Sequence, residues 1–134
     1  MKRASRVAIA AAGATCLTVS ASAHHSFAAE FDRAMPITVT GTVTKVEWAN
    51  PHARFYIDAK DDAGKTMNWD FELASPNGLM RRGWNRNSMK LGDTVTVTGH
   101  RAKNNPLVGN ASTVTLADGK KLFAGSSSEN EATP

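Results

Sequence analysis

Apolar and polar residues alternate through most of this chain. Residues 36–48, PITVTGTVTKVEW, place Ile37, Val39, Gly41 and Val43 on one face and Thr38, Thr40, Thr42 and Thr44 on the other. That period of two marks a half-buried strand. The phase then slips, because Val46 and Trp48 are even-numbered. An extra residue near Thr44-Lys45 explains the slip, so a β-bulge is predicted there. Asn50-Pro51 follows as a turn. Residues 53–59 alternate again, with Ala53, Phe55, Ile57 and Ala59 inward and Arg54, Tyr56 and Asp58 outward. Asp61-Asp62-Ala63-Gly64 is a hairpin turn. After it Met67, Trp69, Phe71 and Leu73 point inward and Thr66, Asn68, Asp70 and Glu72 outward.

The period breaks at residues 75–83, SPNGLMRRG, which carry helix punctuation. Ser75 suits the N-cap, Pro76 the first helical position and Gly83 the position after the end. Trp84 is expected to cover one end of the fold. Lys90-Leu91-Gly92-Asp93 turns the chain into Thr94–Thr98, with Val95 and Val97 inward. Residues 101–110 show little period and are predicted as a loop. A strand over 111–117 pairs through Asp118-Gly119 with 120–124.

The expected class is mainly all-β, a five- to six-stranded OB-like barrel with one short helix between strands three and four. A sandwich would want about seven strands and no internal helix. An open curled sheet is the alternative.

The N-terminus changes the picture of charge. Lys2, Arg3 and Arg6 precede an apolar run from Val7 to Val19, and Ala21-Ser22-Ala23 ends it as an A-x-A cleavage signal. The run is too short to cross a bilayer core of roughly 30 Å. Residues 1–23 are therefore predicted to be a secretory signal peptide cleaved between Ala23 and His24. The protein is expected in the periplasm, with no membrane anchor after processing. The formal charge of the whole chain is +4, from 16 basic and 12 acidic residues. Three of those basic residues lie in the signal peptide, so the mature chain is close to neutral. The single cysteine, Cys16, is discarded too, which excludes disulfides and thiolate metal sites. Residues 24–35 form an N-terminal arm, which Phe27 and Phe31 would dock as one helical turn. The barrel takes 36–124, and 125–134 is a polar tail expected to be disordered.

Candidate chemistry centres on histidine. Cleavage makes His24 the first residue, so its α-amine and imidazole would chelate one metal ion together. Nitrogen-rich tetragonal sites favour Cu(II). One further imidazole completes such a brace, with His52 the first choice and His25 the alternative; His100 ends strand four near the same end of the barrel. The outer face of strands two and three carries Arg54, Tyr56, Asp58, Asn68, Asp70 and Glu72. One aromatic and three carboxylates make it a poor stacking groove for nucleic acid, so no nucleic-acid partner is expected. Asp70 and Glu72 share a face, but no cleft accompanies them and general acid/base work is not expected. Trp48, Arg82 and Trp84 are candidate partner-binding residues, because Trp and Arg are enriched at binding hot spots. Arg81, Arg82 and Arg86 bracket Trp84 and would suit an anion, although cations near a helix C-terminus are favourable in any case.

The strings HHSF, GTVTKVEWANPHA, FELASPNGLMRRGW, SMKLGDTVTVTGHRAK and DGKKLFAG together resemble an exported bacterial family, domain of unknown function 6152. The resemblance spans nearly all of 24–125 and implies a small exported β-barrel with no established activity. It places His24, His25, His52, Arg82, Gly83 and Trp84 in the recurrent motifs and leaves His100 outside them. No nucleophile–base–orienter set is present, so the expected protein is not an enzyme. The expected function is that of a small exported binding or accessory protein, holding copper through the mature N-terminal histidine. The alternative is an envelope protein-interaction module without metal, and a copper metalloenzyme stands third.

Overall fold

The computed structural model describes residues 27–125. Helix α1 (Phe27–Glu30) leads into the long strand β1 (Phe31–Glu47). Strands β2 (Arg54–Lys60) and β3 (Thr66–Glu72), helix α2 (Pro76–Arg81), and strands β4 (Thr94–Ala102), β5 (Val108–Thr115) and β6 (Lys121–Phe123) follow. Neighbouring strands run in the order β3-β2-β1-β4-β5-β6, and β3 also pairs with β5. That last pairing is parallel and aligns Asp70, Phe71 and Glu72 with Val108, Gly109 and Asn110. It closes the ring β1-β2-β3-β5-β4, with β6 added to β5. A closed five-strand ring with a helix between β3 and β4 is an OB-like barrel.

Alternation built the barrel as the sequence implied. Phe55, Ile57, Phe71, Val95, Val97 and Val114 are essentially inaccessible and fill it together with Leu79 and Trp84. Each large side chain so buried contributes about 1.5–3 kcal/mol. The predicted bulge is present, since β1–β2 register shifts between Val43 and Lys45. It returns Val46 and Trp48 to the core side, where both pack against the barrel. Ser75 caps α2 by accepting from the Gly78 amide at 3.2 Å, and Gly83 ends it at φ 94°.

Three boundaries differ from the sequence reading. β1 begins at Phe31 rather than 36, because Phe31 pairs with Ala102 across a register irregularity before Pro36. Half of the predicted loop 101–110 is strand, because β4 continues to Ala102 and β5 starts at Val108, which leaves 103–107 as the loop. Neither extension alternates: Arg33, Ala34, Met35 and Pro36 are all exposed, and Gly109, Asn110 and Ala111 are all buried. Phe27, Phe31 and Ala102 form a second small cluster with Val108. At the close β4–β5 crossing, a Cβ on Gly99 would lie 1.8 Å from the Asn110 carbonyl oxygen, so only glycine fits. Strand β6 is also shorter than predicted, ending at Phe123. Residues 1–26 and 126–134, which include the signal peptide, His24, His25 and the tail, lie outside the described residues.

Candidate functional site

Arg54 opens β2 directly opposite Glu72, and Tyr56 lies opposite Asp70. Their side chains meet on the outer face because both strands send alternate residues outward. The Arg54 guanidinium grips Asp70 with two hydrogen bonds of 3.0 Å and donates a third to Glu72 at 3.1 Å. Asn68 donates to Asp58 at 2.8 Å and to the Thr44 hydroxyl at 3.2 Å. Lys45 pairs with Glu47, which also accepts from the Tyr56 hydroxyl. Burial alone would lower the Arg54 pKa, but the Asp70 hydrogen bond and charge, with Glu72, outweigh it and raise it. Asp70 and Glu72 are thus bound to one arginine and are not a free acid–base pair.

Glu72 is the least accessible member of this face, with 13% of its side chain exposed. Burial pushes its carboxyl pKa upward. His52, in its protonated form, and Arg54 oppose the rise, and Glu30 adds to it. The Glu72 carboxylate thus faces both Arg54 and the His52 loop.

His52 sits in that loop, half-exposed. Its Nδ1 lies 3.1 Å from the Leu73 carbonyl oxygen and 3.9 Å from the Glu72 carboxylate. A carbonyl only accepts, so Nδ1 carries the proton and donates. The neutral ring then keeps its lone pair on Nε2, the arrangement usual for a metal-ligating histidine. Among the described residues no three His, Cys, Asp or Glu side chains are arranged to hold a metal ion. His24 and His25 lie outside the described residues.

Helix α1 reaches this region over the β4 outer face. Phe27 packs edge-on against His100 with centroids 5.7 Å apart and lies 5.4 Å from Phe31. Lys103 holds the helix by donating its amide to the Glu30 carbonyl at 2.9 Å and its ammonium to the Ala28 carbonyl. His100 pairs with Asn110, and Asn110 with Glu72, so one row crosses β4, β5 and β3. Asn110 is 1% exposed, and its Oδ1 accepts no hydrogen bond from a described residue. The sequence reading missed it by placing it in a loop; an asparagine just after Val108-Gly109 carries no periodic signal.

The expected partner-binding residues fare differently. Trp84 is 3% exposed, and its indole N–H donates to the Phe123 carbonyl at 2.7 Å. It cannot present a docking surface, because it is part of the core. Arg82 is half-buried and donates to the Gly125 carbonyl. Trp48 is half-buried against the barrel. Two members of the Arg82-Gly83-Trp84 run therefore fasten the C-terminal strand by its backbone carbonyls. Arg81 and Arg86 are exposed on either side.

Residues 12–111 match the model of a family of unknown function, DUF6152. The chain belongs to that family. The match covers the His52 loop, the ionic face of β2–β3 and the Arg82–Trp84 run of this DUF6152 protein. No curated protein matches it. Among solved structures, the chain is similar to the mitochondrial single-stranded DNA binding protein Rim1 of S. cerevisiae. That similarity has 13% identity and a TM-score of 0.47, over 60% of this chain and 91% of that one.

Proposed function

We propose that this DUF6152 protein is exported to the periplasm, cleaved after Ala23, and there binds copper through its new N-terminus. The α-amine and imidazole of His24 would supply two nitrogens and His52 Nε2 a third, with His25 the alternative partner. The observation that carries this reading is the orientation of His52. Its Nδ1–H is held on the Leu73 carbonyl, beside the Glu72 carboxylate, which leaves Nε2 for a ligand. His24 stands three residues before Phe27, so the chain spans no more than about 11 Å between them. The role is accessory binding rather than catalysis.

The β2–β3 face supports the expectation of no nucleic-acid partner. It offers one aromatic ring, Tyr56, and its arginine is bound to two carboxylates, whereas single strands need stacked rings and a basic groove. The interaction-module alternative loses Trp84, which is buried in the core.

A Cu(II) titration followed by electron paramagnetic resonance tests the copper reading. The processed protein beginning at His24 is compared with one carrying an extra N-terminal alanine and with His52→Ala. Stoichiometric binding with nitrogen couplings is expected, lost in the extended form and weakened in His52→Ala. Affinity should also fall as pH drops from about 8 to 5, since the amine (about 7.7–8) and imidazole (about 6.5) must be deprotonated to ligate. Equal, weak binding in all three proteins would end the proposal.

A further inference from the structure

A second region of the surface has the chemistry of a ligand site, independent of the copper reading. Strand β6 alternates exposed, buried, exposed, so Lys121 and Phe123 point outward together while Leu122 points in. Phe123 is 68% exposed. Arg82 reaches the same place from the end of α2, and the four residues Arg82, Lys121, Leu122 and Phe123 line a groove of about 430 Å³. That volume falls in the range of small-molecule sites.

The walls of the groove are built rather than incidental. Trp84 and Arg82 hold the Phe123 and Gly125 carbonyls, which fixes β6 against α2. Gly83 turns at φ 94° close over Leu122, where a Cβ would stand 3.7 Å from the leucine methyl. The Gly125 bond uses one N–H of Arg82, and a guanidinium has five. The cross-strand partners of Lys121 and Phe123 are Thr115 and Thr113, both uncharged. Neither Arg82 nor Lys121 makes an ion pair with a described residue, whereas Arg54 makes two. Two cations without an ion pair among the described residues, beside an exposed ring, complement one chemistry, a negative head on an apolar body.

We infer that the groove between α2 and β6 binds a small amphipathic anion, an aryl or acyl group bearing one carboxylate or sulfonate. The head lies between Arg82 and Lys121 and the apolar body lies on Phe123 and Leu122.

Fluorescence titration of the purified protein with anilinonaphthalene sulfonate, and displacement by dodecanoate, tests this. Lys121→Glu and Phe123→Ala are exposed changes that leave the fold intact by circular dichroism. Lys60→Glu, in the β2–β3 hairpin, is the matched charge control. Saturable binding is expected, weakened about tenfold or more by each groove variant (about 1.4 kcal/mol) and unchanged by Lys60→Glu. No saturable binding, or binding indifferent to both groove variants, overturns the inference. Binding that emerges only after residues 126–134 are removed also overturns it, and assigns the groove to the chain's own acidic tail.

Discussion

The outer face of β2–β3 and the groove between α2 and β6 each present an arginine, and the two arginines are in opposite states. Arg54 is saturated by Asp70 and Glu72 on the neighbouring strand. Arg82 spends one hydrogen bond on a backbone carbonyl and stands beside another cation. An internally neutralised face stabilises register between strands but offers little to a ligand. A face whose charges have no ion-pair partner among the described residues offers a ligand the pairing that those residues withhold. Within an OB-like barrel the first surface occupies the usual ligand strands, so this molecule has made its conventional binding face structural.

Trp84 tests whether the groove wall is structural in the way claimed. It fills core volume and fastens β6, so Trp84→Ala is expected to cost about 3–5 kcal/mol. Trp84→Phe retains most of the volume and loses the bond to Phe123, for about 1 kcal/mol more than the packing change. Urea unfolding of both variants measures this. A cost below about 1 kcal/mol for Trp84→Ala would place the ring outside the cooperative core.

The β2–β3 face is tested by removing its centre. Arg54→Met leaves two neighbouring carboxylates without their shared donor, and a loss of about 1–3 kcal/mol is expected for this half-buried group. The triple variant Arg54→Met, Asp70→Asn, Glu72→Gln removes the charges together and should regain most of that loss. A triple variant as unstable as the single one would show that Arg54 acts through packing rather than charge.

These two regions also differ in how far the sequence exposed them. Alternation located Phe55, Ile57, Trp69, Phe71, Val95 and Val97, and the phase slip after Val43 located the bulge. It placed Arg54, Asp70 and Glu72 on one outer face, but not their bonds, because pairing depends on the register of β2 against β3. Register became legible only with the Arg54–Glu72 alignment. Trp84 carried two expectations, as cover for one barrel end and as a partner-binding residue; its burial fits the first, and an Arg-Gly-Trp run reads alike for both. The strand ends at Phe31 and Val108 escaped because only the small cluster with Phe27 and Ala102 joins them, while the exposed run from Arg33 to Pro36 carries no alternation. Asn110 escaped because it is buried in succession with Gly109 and Ala111, which leaves no period to read. His52 was visible as a loop histidine, whereas its bond to Leu73 comes from the β2–β3 ladder continuing past Arg54 and Glu72 through Ala53.

Glu72 yields the smallest effect and the finest distinction. Its carboxyl titrates above the ordinary range in the folded protein, chiefly because burial disfavours its charge. For an acid, a raised folded-state pKa means that the native state holds the proton more tightly than the unfolded chain does. The associated stability is complete below the unfolded value and disappears as pH rises through the folded value. Glutamine has no charge to desolvate and no such dependence. The Tm of Glu72→Gln minus that of the wild type should therefore become more positive from about pH 4 to pH 7, by a few degrees for each kcal/mol at this size. The attraction to Arg54 and His52 is already part of the folded-state pKa, and any pH-independent cost of the glutamine shifts both ends of the comparison alike. A difference that instead grows more negative toward neutral pH would mean that attraction to Arg54 and His52 outweighs burial. Glu72 would then be a conventional stabilising ion-pair partner, and the β2–β3 face would owe its register to charge more than to the packing beneath it.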